Sequence, residues 1–200
     1  IMKLSGRLIF LGFFFGLGLL WGIIKYWPDG KLHVVFCDVG QGDAIYLRMP
    51  NSADLLVDGG PNDKVLACLG RYMPFYDRTL EAVILTHPQK DHLQGLLSVI
   101  QRYHVKNFIT VPIKIETDSY KNLKLQIKRL NLPVNYLYAN HNLKFGSVLA
   151  KSIWPDKEWL VKTLKFDNQA LAHLDNQNTV GDILGLATKS DLNLYSIYLD

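Results

Sequence analysis

From Leu8 to Ile24 the chain runs 17 residues without a charge, dominated by Phe, Leu, Ile and Gly. At about 1.5 Å per residue that stretch just reaches across a hydrocarbon core with little tilt. Lys3 and Arg7 precede it, and Trp21, Tyr26 and Trp27 stand at its far end, where amphipathic rings favour the membrane interface. A cleaved signal peptide is the competing reading, but it would have an apolar core of about 7–15 residues ending in a small-x-small site. Here the run ends in Trp21-Gly22-Ile23-Ile24-Lys25. The pattern therefore favours an uncleaved anchor through residues 8–24. Charge bias places the short N-terminus in the cytoplasm and everything after Lys25 outside the cell membrane. Pro28-Asp29-Gly30 is a turn. Residues 1–30 thus read as anchor and linker, and residues 31–200 as a folded domain.

In that remainder the apolar residues are dispersed in alternating and helical patterns, which excludes further spans. With 48% apolar and 20% charged residues overall, disorder is excluded as well. Leu32 to Cys37, Ala44 to Met49 and Asp54 to Val57 read as three strands with short connections, an antiparallel meander. Asn62 or Asp63 can cap a helix to about Tyr72. Glu81 to Leu85 is a further strand, followed by a loop and a helix from Leu93 to Tyr103. Lys106–Val111, Val134–Tyr138 and Val148–Trp154 read as strands, Ser119–Leu130 as a basic helix, and Thr179–Ala187 with Leu192–Leu199 as a final strand pair. Cys37 and Cys68 are too few for a disulfide scaffold, and their apolar surroundings suggest small buried hydrophobes.

The chemistry is concentrated where the strand ending at Leu85 runs into Thr86-His87-Pro88-Gln89-Lys90-Asp91-His92. Two imidazoles and a carboxylate held at a sheet's rim are ligand types that zinc and manganese prefer. A bound divalent metal lowers the pKa of a water to about 7. The segment Asp38-Val39-Gly40-Gln41-Gly42-Asp43 lies between two apolar strands, and Asp58-Gly59-Gly60 ends the third. Read alone, the first is a hairpin connection with Asx-type turns. Asp58 could orient a ligand histidine from behind. His33, His104, His141 and His173 read as surface or internally satisfied residues.

Taken in order, Asp38-Val39-Gly40-Gln41-Gly42-Asp43-Ala44, Leu56-Val57-Asp58-Gly59-Gly60 and Thr86-His87-Pro88-x-x-Asp91-His92-x-x-Gly95 resemble the metallo-β-lactamase superfamily. Within it they resemble the soluble domain of ComEC-type competence DNA-uptake proteins. The likeness is clear over residues 32–100, and weaker through Lys144–Val148, Trp154-Pro155 and Asn176–Val180. It implies an α/β fold, the αββα four-layer sandwich, with one or two Zn²⁺ or Mn²⁺ ions at its rim and hydrolysis of phosphodiester bonds, DNA being the suspected substrate. His87, Asp91 and His92 would hold metal, and Asp91 would also accept the proton of the attacking water. Asp38, Gln41, Asp43 and Asp58 would support the site. Gln89 stands where the superfamily pattern has its second histidine, and a neutral amide is a weaker ligand. Asp200 falls where a late-strand ligand Asp is expected, so the second half of the sandwich reads as incomplete and the chain as truncated at its C-terminus. Two other readings remain: a non-catalytic binding module with a degenerate metal site, and a hydrolase of small phosphoesters.

Charge is uneven. Residues 101–170 carry twelve basic and five acidic side chains, although the whole chain is only +4. Lys121, Lys124, Lys128 and Arg129 share a broad face of one helix. That face could track a nucleic-acid backbone, or could simply be solvated.

Overall fold

Short apolar runs separated by Gly, Asp and Pro turns set the architecture, because a four-residue run is long enough for a strand and too short for a helix. The computed structural model describes residues 6–25, 28–111 and 117–164. Helix α1 (Gly6–Lys25) is long and apolar enough to cross a membrane. Strands β1 (His33–Phe36), β2 (Ile45–Arg48) and β3 (Asp54–Val57) form the expected antiparallel meander, with Val35 opposite Tyr46 and Leu47 opposite Leu55. After helix α2 (Lys64–Tyr72) and the two-residue β4 (Thr79–Leu80) comes β5 (Ala82–Leu85), which pairs parallel to β3. Helix α3 (Lys90–Arg102) and the short β6 (His104–Val105) return the chain to β7 (Phe108–Thr110), parallel to β5. Helix α4 (Asp118–Arg129) then leads to β8 (Val134–Tyr136), again parallel. The result is a mixed six-stranded sheet, β1-β2-β3-β5-β7-β8.

Both faces of this sheet are covered, which is why its central strands read as unbroken apolar runs. On one face Tyr46, Leu56, Val83 and Phe108 pack with Val65 and Leu69 of α2, Leu93 and Leu96 of α3, and Leu123 of α4. On the other, Leu47, Leu55, Ala82 and Ile109 meet Leu143 and Phe145 of a hairpin, β9 (Asn142–Phe145) with β10 (Val148–Lys151). Helix α5 (Lys157–Leu164) follows. The described residues therefore build a helical layer, a sheet and a hairpin layer. The expected strands at Thr179–Ala187 and Leu192–Leu199, and the residues Asn176–Val180, His173 and Asp200, lie outside the described residues.

Two readings of the sequence need correction. Cys37 and Cys68 are not separate hydrophobes: they form a disulfide joining the residue after β1 to the middle of α2. Helix α3 starts at Lys90 rather than Leu93, so Asp91 and His92 belong to its first turn rather than to a loop. Of the two expected caps of α2, the Asn62 side chain accepts the Lys64 N–H, while the Asp63 side chain accepts from Ser98 of α3.

At the edge where β3 and β5 begin, a buried polar network ties the strands. The Arg48 guanidinium bonds both oxygens of Asp54, at 3.0 and 2.7 Å, from the position directly opposite on β2. Tyr46 donates to the same carboxylate at 2.6 Å, and the Asp54 N–H donates to Glu81 at 2.7 Å. Burial pushes the Asp54 carboxyl up to about 7, against the pull of Tyr46 and Arg48.

Candidate metal centre

The residues of interest gather at the opposite edge, where the parallel strands end, the position at which open α/β sheets place their ligands. Asp58 follows β3 in a left-handed conformation, φ +56°, uncommon outside glycine. That twist, together with its N–H bonded to the Ile84 carbonyl, sets the carboxylate beneath the Thr86–His92 segment. Asp58 is buried and fully engaged. Its Oδ1 accepts the Thr86 N–H at 2.8 Å; its Oδ2 accepts the Thr86 hydroxyl at 2.6 Å and lies 2.8 Å from His92 Nδ1. Burial raises its pKa, and the bonds from Thr86 and His92 oppose that rise.

These contacts orient both imidazoles. Against an ionised Asp58, which can only accept, Nδ1 of His92 is the donor, and the neutral ring then has its lone pair on Nε2. The Thr86 hydroxyl spends its proton on Asp58, so the 3.1 Å contact between its oxygen and His87 Nδ1 is donated by His87. In its neutral form His87 likewise has its lone pair on Nε2. The two rings lie against each other, with centroids 3.8 Å apart, and the Asp91 carboxylate reaches to 3.7 Å from His92 Nε2. Asp43 closes the other side, 3.9 Å from His92 Nδ1, with its carboxylate largely exposed.

Backbone packing locks the surrounding loops together. Gly60 N–H donates to the Asp43 carbonyl, Gly59 N–H to that of His92, and Gly95 N–H to that of Gly60. Gly42, at φ +133°, lies directly under the Asp91 carbonyl, where a Cβ would collide. Gly60, at φ +69°, lies likewise against Val39, and Asn62 further ties the loop by donating to the Val39 carbonyl.

Of the residues singled out in sequence, His87, Asp91, His92, Asp58 and Asp43 are brought together. Asp38 and Gln41 are exposed and make no side-chain hydrogen bond among the described residues. Gln89 is the N-cap of α3: its backbone carbonyl takes the His92 and Leu93 N–H groups, and its side chain makes no capping bond. Lys121, Lys124, Lys128 and Arg129 are exposed along α4, whose N-terminal end sits beside α3 through a Ser119–Gln94 hydrogen bond. Thr86, which carries no signal of its own in the sequence, connects Asp58 to His87.

In chemistry these donors suit a divalent cation, because each imidazole has its other nitrogen bonded in the way ligating histidines do. In spacing they do not close a site: among the described residues no three His, Cys, Asp or Glu side chains form a group that could hold a metal ion.

No protein-family model matches the chain, and neither does any curated protein. Among solved structures, a diphosphatase from the PhnP family is similar with a TM-score of 0.34 and 15% identity. The match covers 52% of this chain and 40% of that one, so the chain spans less than half of its length. A likeness that weak decides neither fold nor activity.

Proposed function

We propose that the protein is a metal-dependent hydrolase of the metallo-β-lactamase type, related to the ComEC soluble domain, anchored in the cell membrane by α1 and acting on phosphodiester bonds, with DNA as the suspected substrate. One observation carries this reading. The chain His92–Asp58–Thr86–His87 holds two imidazoles against each other by their Nδ1 atoms, with the Asp91 carboxylate 3.7 Å from His92 Nε2. His87, Asp91 and His92 would hold the Zn²⁺ or Mn²⁺, with Asp200 as a further ligand on the resemblance. When bound, such an ion polarises a phosphoryl oxygen and acidifies a water to near neutrality. Asp58 holds the His92 ring in one tautomer and orientation. Asp91, partly exposed and acceptor-only when ionised, would accept the proton of the attacking water on a carboxylate oxygen. The Cys37–Cys68 bridge supports an extracytoplasmic domain, since disulfides persist in oxidising compartments.

A second reading has its own support. Gln89 serves as a helix cap, and the described donors do not close on an ion, as in a non-catalytic module with a degenerate site. Metal content and turnover of the purified full chain separate the two. The hydrolase reading expects bound metal in stoichiometric amount, cleavage of DNA with added Zn²⁺ or Mn²⁺, and loss of both in His92→Ala combined with Asp91→Ala. Cleavage that survives the double substitution overturns the assignment of these ligands. A metal-free, inactive protein establishes the module, and cleavage of small phosphoesters but not DNA establishes the third substrate class.

A further inference from the structure

The edge of the sheet opposite the candidate centre carries an unusual exposed aromatic group. Between α2 and β4 the chain turns through Met73–Arg78, and Tyr72, Phe75 and Tyr76 stay 43%, 53% and 51% exposed. Phe75 and Tyr76 pack edge to face, with centroids 5.3 Å apart, and Arg71 lies over the Tyr72 ring. Three such side chains, from the end of α2 and the turn after it, expose apolar surface that water disfavours.

Helix α1 shows what covers them. The Phe75 ring lies against Gly22, where an added Cβ would sit 3.0 Å from the ring. Gly22 is in the last turn of α1, beside Trp21 and three residues before Lys25. In a spanning helix that turn is at the level where hydrocarbon meets headgroups, the zone in which Trp and Tyr concentrate. The aromatic turn therefore stands at the same depth as the end of α1. Next to it a cavity of about 210 Å³ opens between Lys25, Lys31, His33, Arg48 and Tyr72. Its lining holds Lys25, Lys31 and Arg48 against one carboxylate, Asp29, which is bound to His33. Arg48 is itself paired with the buried Asp54, so the two lysines leave the lining cationic.

We propose that this pole is a lipid-contacting surface: Tyr72, Phe75 and Tyr76 enter the interfacial layer of the bilayer that α1 crosses, and the cavity beside Lys31 and Arg48 receives anionic lipid phosphates. The inference rests on the reading of α1 as a membrane anchor. It holds the domain in one orientation, with the Asp58–His92 centre facing away from the lipid. The principle is that of interfacial segments, apolar contact reinforced by attraction of basic side chains to anionic headgroups.

Because the chain's two cysteines are bonded to each other, a cysteine introduced at Tyr76 is the only free thiol for a spin label. The full chain is placed in vesicles of phosphatidylcholine with phosphatidylglycerol. Flotation reports whether α1 inserts, and collisional relaxation by oxygen and by a water-soluble nickel chelate reports depth. The expected result is a label at 76 several-fold better shielded from nickel than one at Gln41, and the same for a label at Tyr72. Shielding should fall when phosphatidylglycerol is omitted and in Lys31→Glu. A chain that floats but whose labels at 72 and 76 are as open to nickel as the one at 41 overturns the surface while leaving the anchor standing. Shielding that ignores both phosphatidylglycerol and Lys31→Glu overturns the phosphate cavity. A chain that does not float overturns the anchor reading, and this surface with it.

Discussion

Gly42 shows how much of the candidate centre depends on the absence of a side chain. Its φ of +133° is a conformation that other residues rarely adopt, and the space a Cβ would need holds the Asp91 carbonyl. Gly42→Ala must therefore displace either the Asp43 loop or the first turn of α3, which carries Asp91 and His92. A displacement of about 1 Å at reacting groups costs on the order of 10²-fold in rate. The expected outcome is a loss of hydrolysis of that size with the far-ultraviolet circular dichroism unchanged. Gly70→Ala is the control, because that helical position has nothing within 4 Å of its would-be Cβ. It should leave turnover intact and raise stability by about 0.5–1 kcal/mol. At this scale the sequence was partly legible. His87, Asp91, His92 and Asp58 could be picked out because their types and spacing point to metal chemistry. The part played by Thr86 could not, since its partner Asp58 is 28 residues away and a lone threonine after a strand carries no signal.

The elements were legible wherever a hydrophobic period was long enough to read. Strands β1 to β3 show apolar runs joined through Asp, Gly and Pro, β5 shows one between Glu81 and Thr86, and the pairing of the first three follows from their short connections. Helix α3 begins three residues before its apolar stripe for a physical reason: Lys90, Asp91 and His92 are polar, so the stripe starts only at Leu93. Two-residue strands such as β4 and β6 have no period at all. Strand β9 alternates polar Asn142 and Lys144 with buried Leu143 and Phe145, and only the turn at Gly146, φ +62°, reveals the hairpin. The disulfide between the end of β1 and α2 belongs to this scale too, and two cysteines 31 residues apart do not announce a bond in sequence. Closing a loop of that length is worth about 3–4 kcal/mol in the chain-entropy account. Replacing both cysteines by serine should lower the free energy of unfolding by about that amount, read from urea denaturation of the full chain in detergent. A change below about 1 kcal/mol would mean that the Cys37–Cys68 bond crosslinks structure that persists without it.

For the molecule as a whole, parallel strands give the sheet a direction: Asp58, Thr86 and His87 cluster where β3 and β5 end, while Arg48, Asp54 and Glu81 lock the edge where they begin. That direction was implicit in the order of strands and helices, because a strand followed by a helix and a further strand predicts parallel pairing. The covering of the second face was less legible, since Leu143 and Phe145 are remote in sequence from the strands they cover. The disulfide has a mechanical consequence in the anchored protein proposed above. Tension between the bilayer and anything gripping the far side of the domain enters through β1, and at Cys37 it meets a branch. The covalent bond carries the load straight to Cys68 in α2, so the segment between them, with the Asp38–Asp43 loop and Asp58, is left slack. Stretching single molecules from both ends should show this. Reducing agent should lengthen the fully extended chain by about 100 Å, the reach of 31 residues at roughly 3.4 Å each. Under oxidising conditions that length stays hidden, and the carboxylate that orients His92 is shielded from the pull.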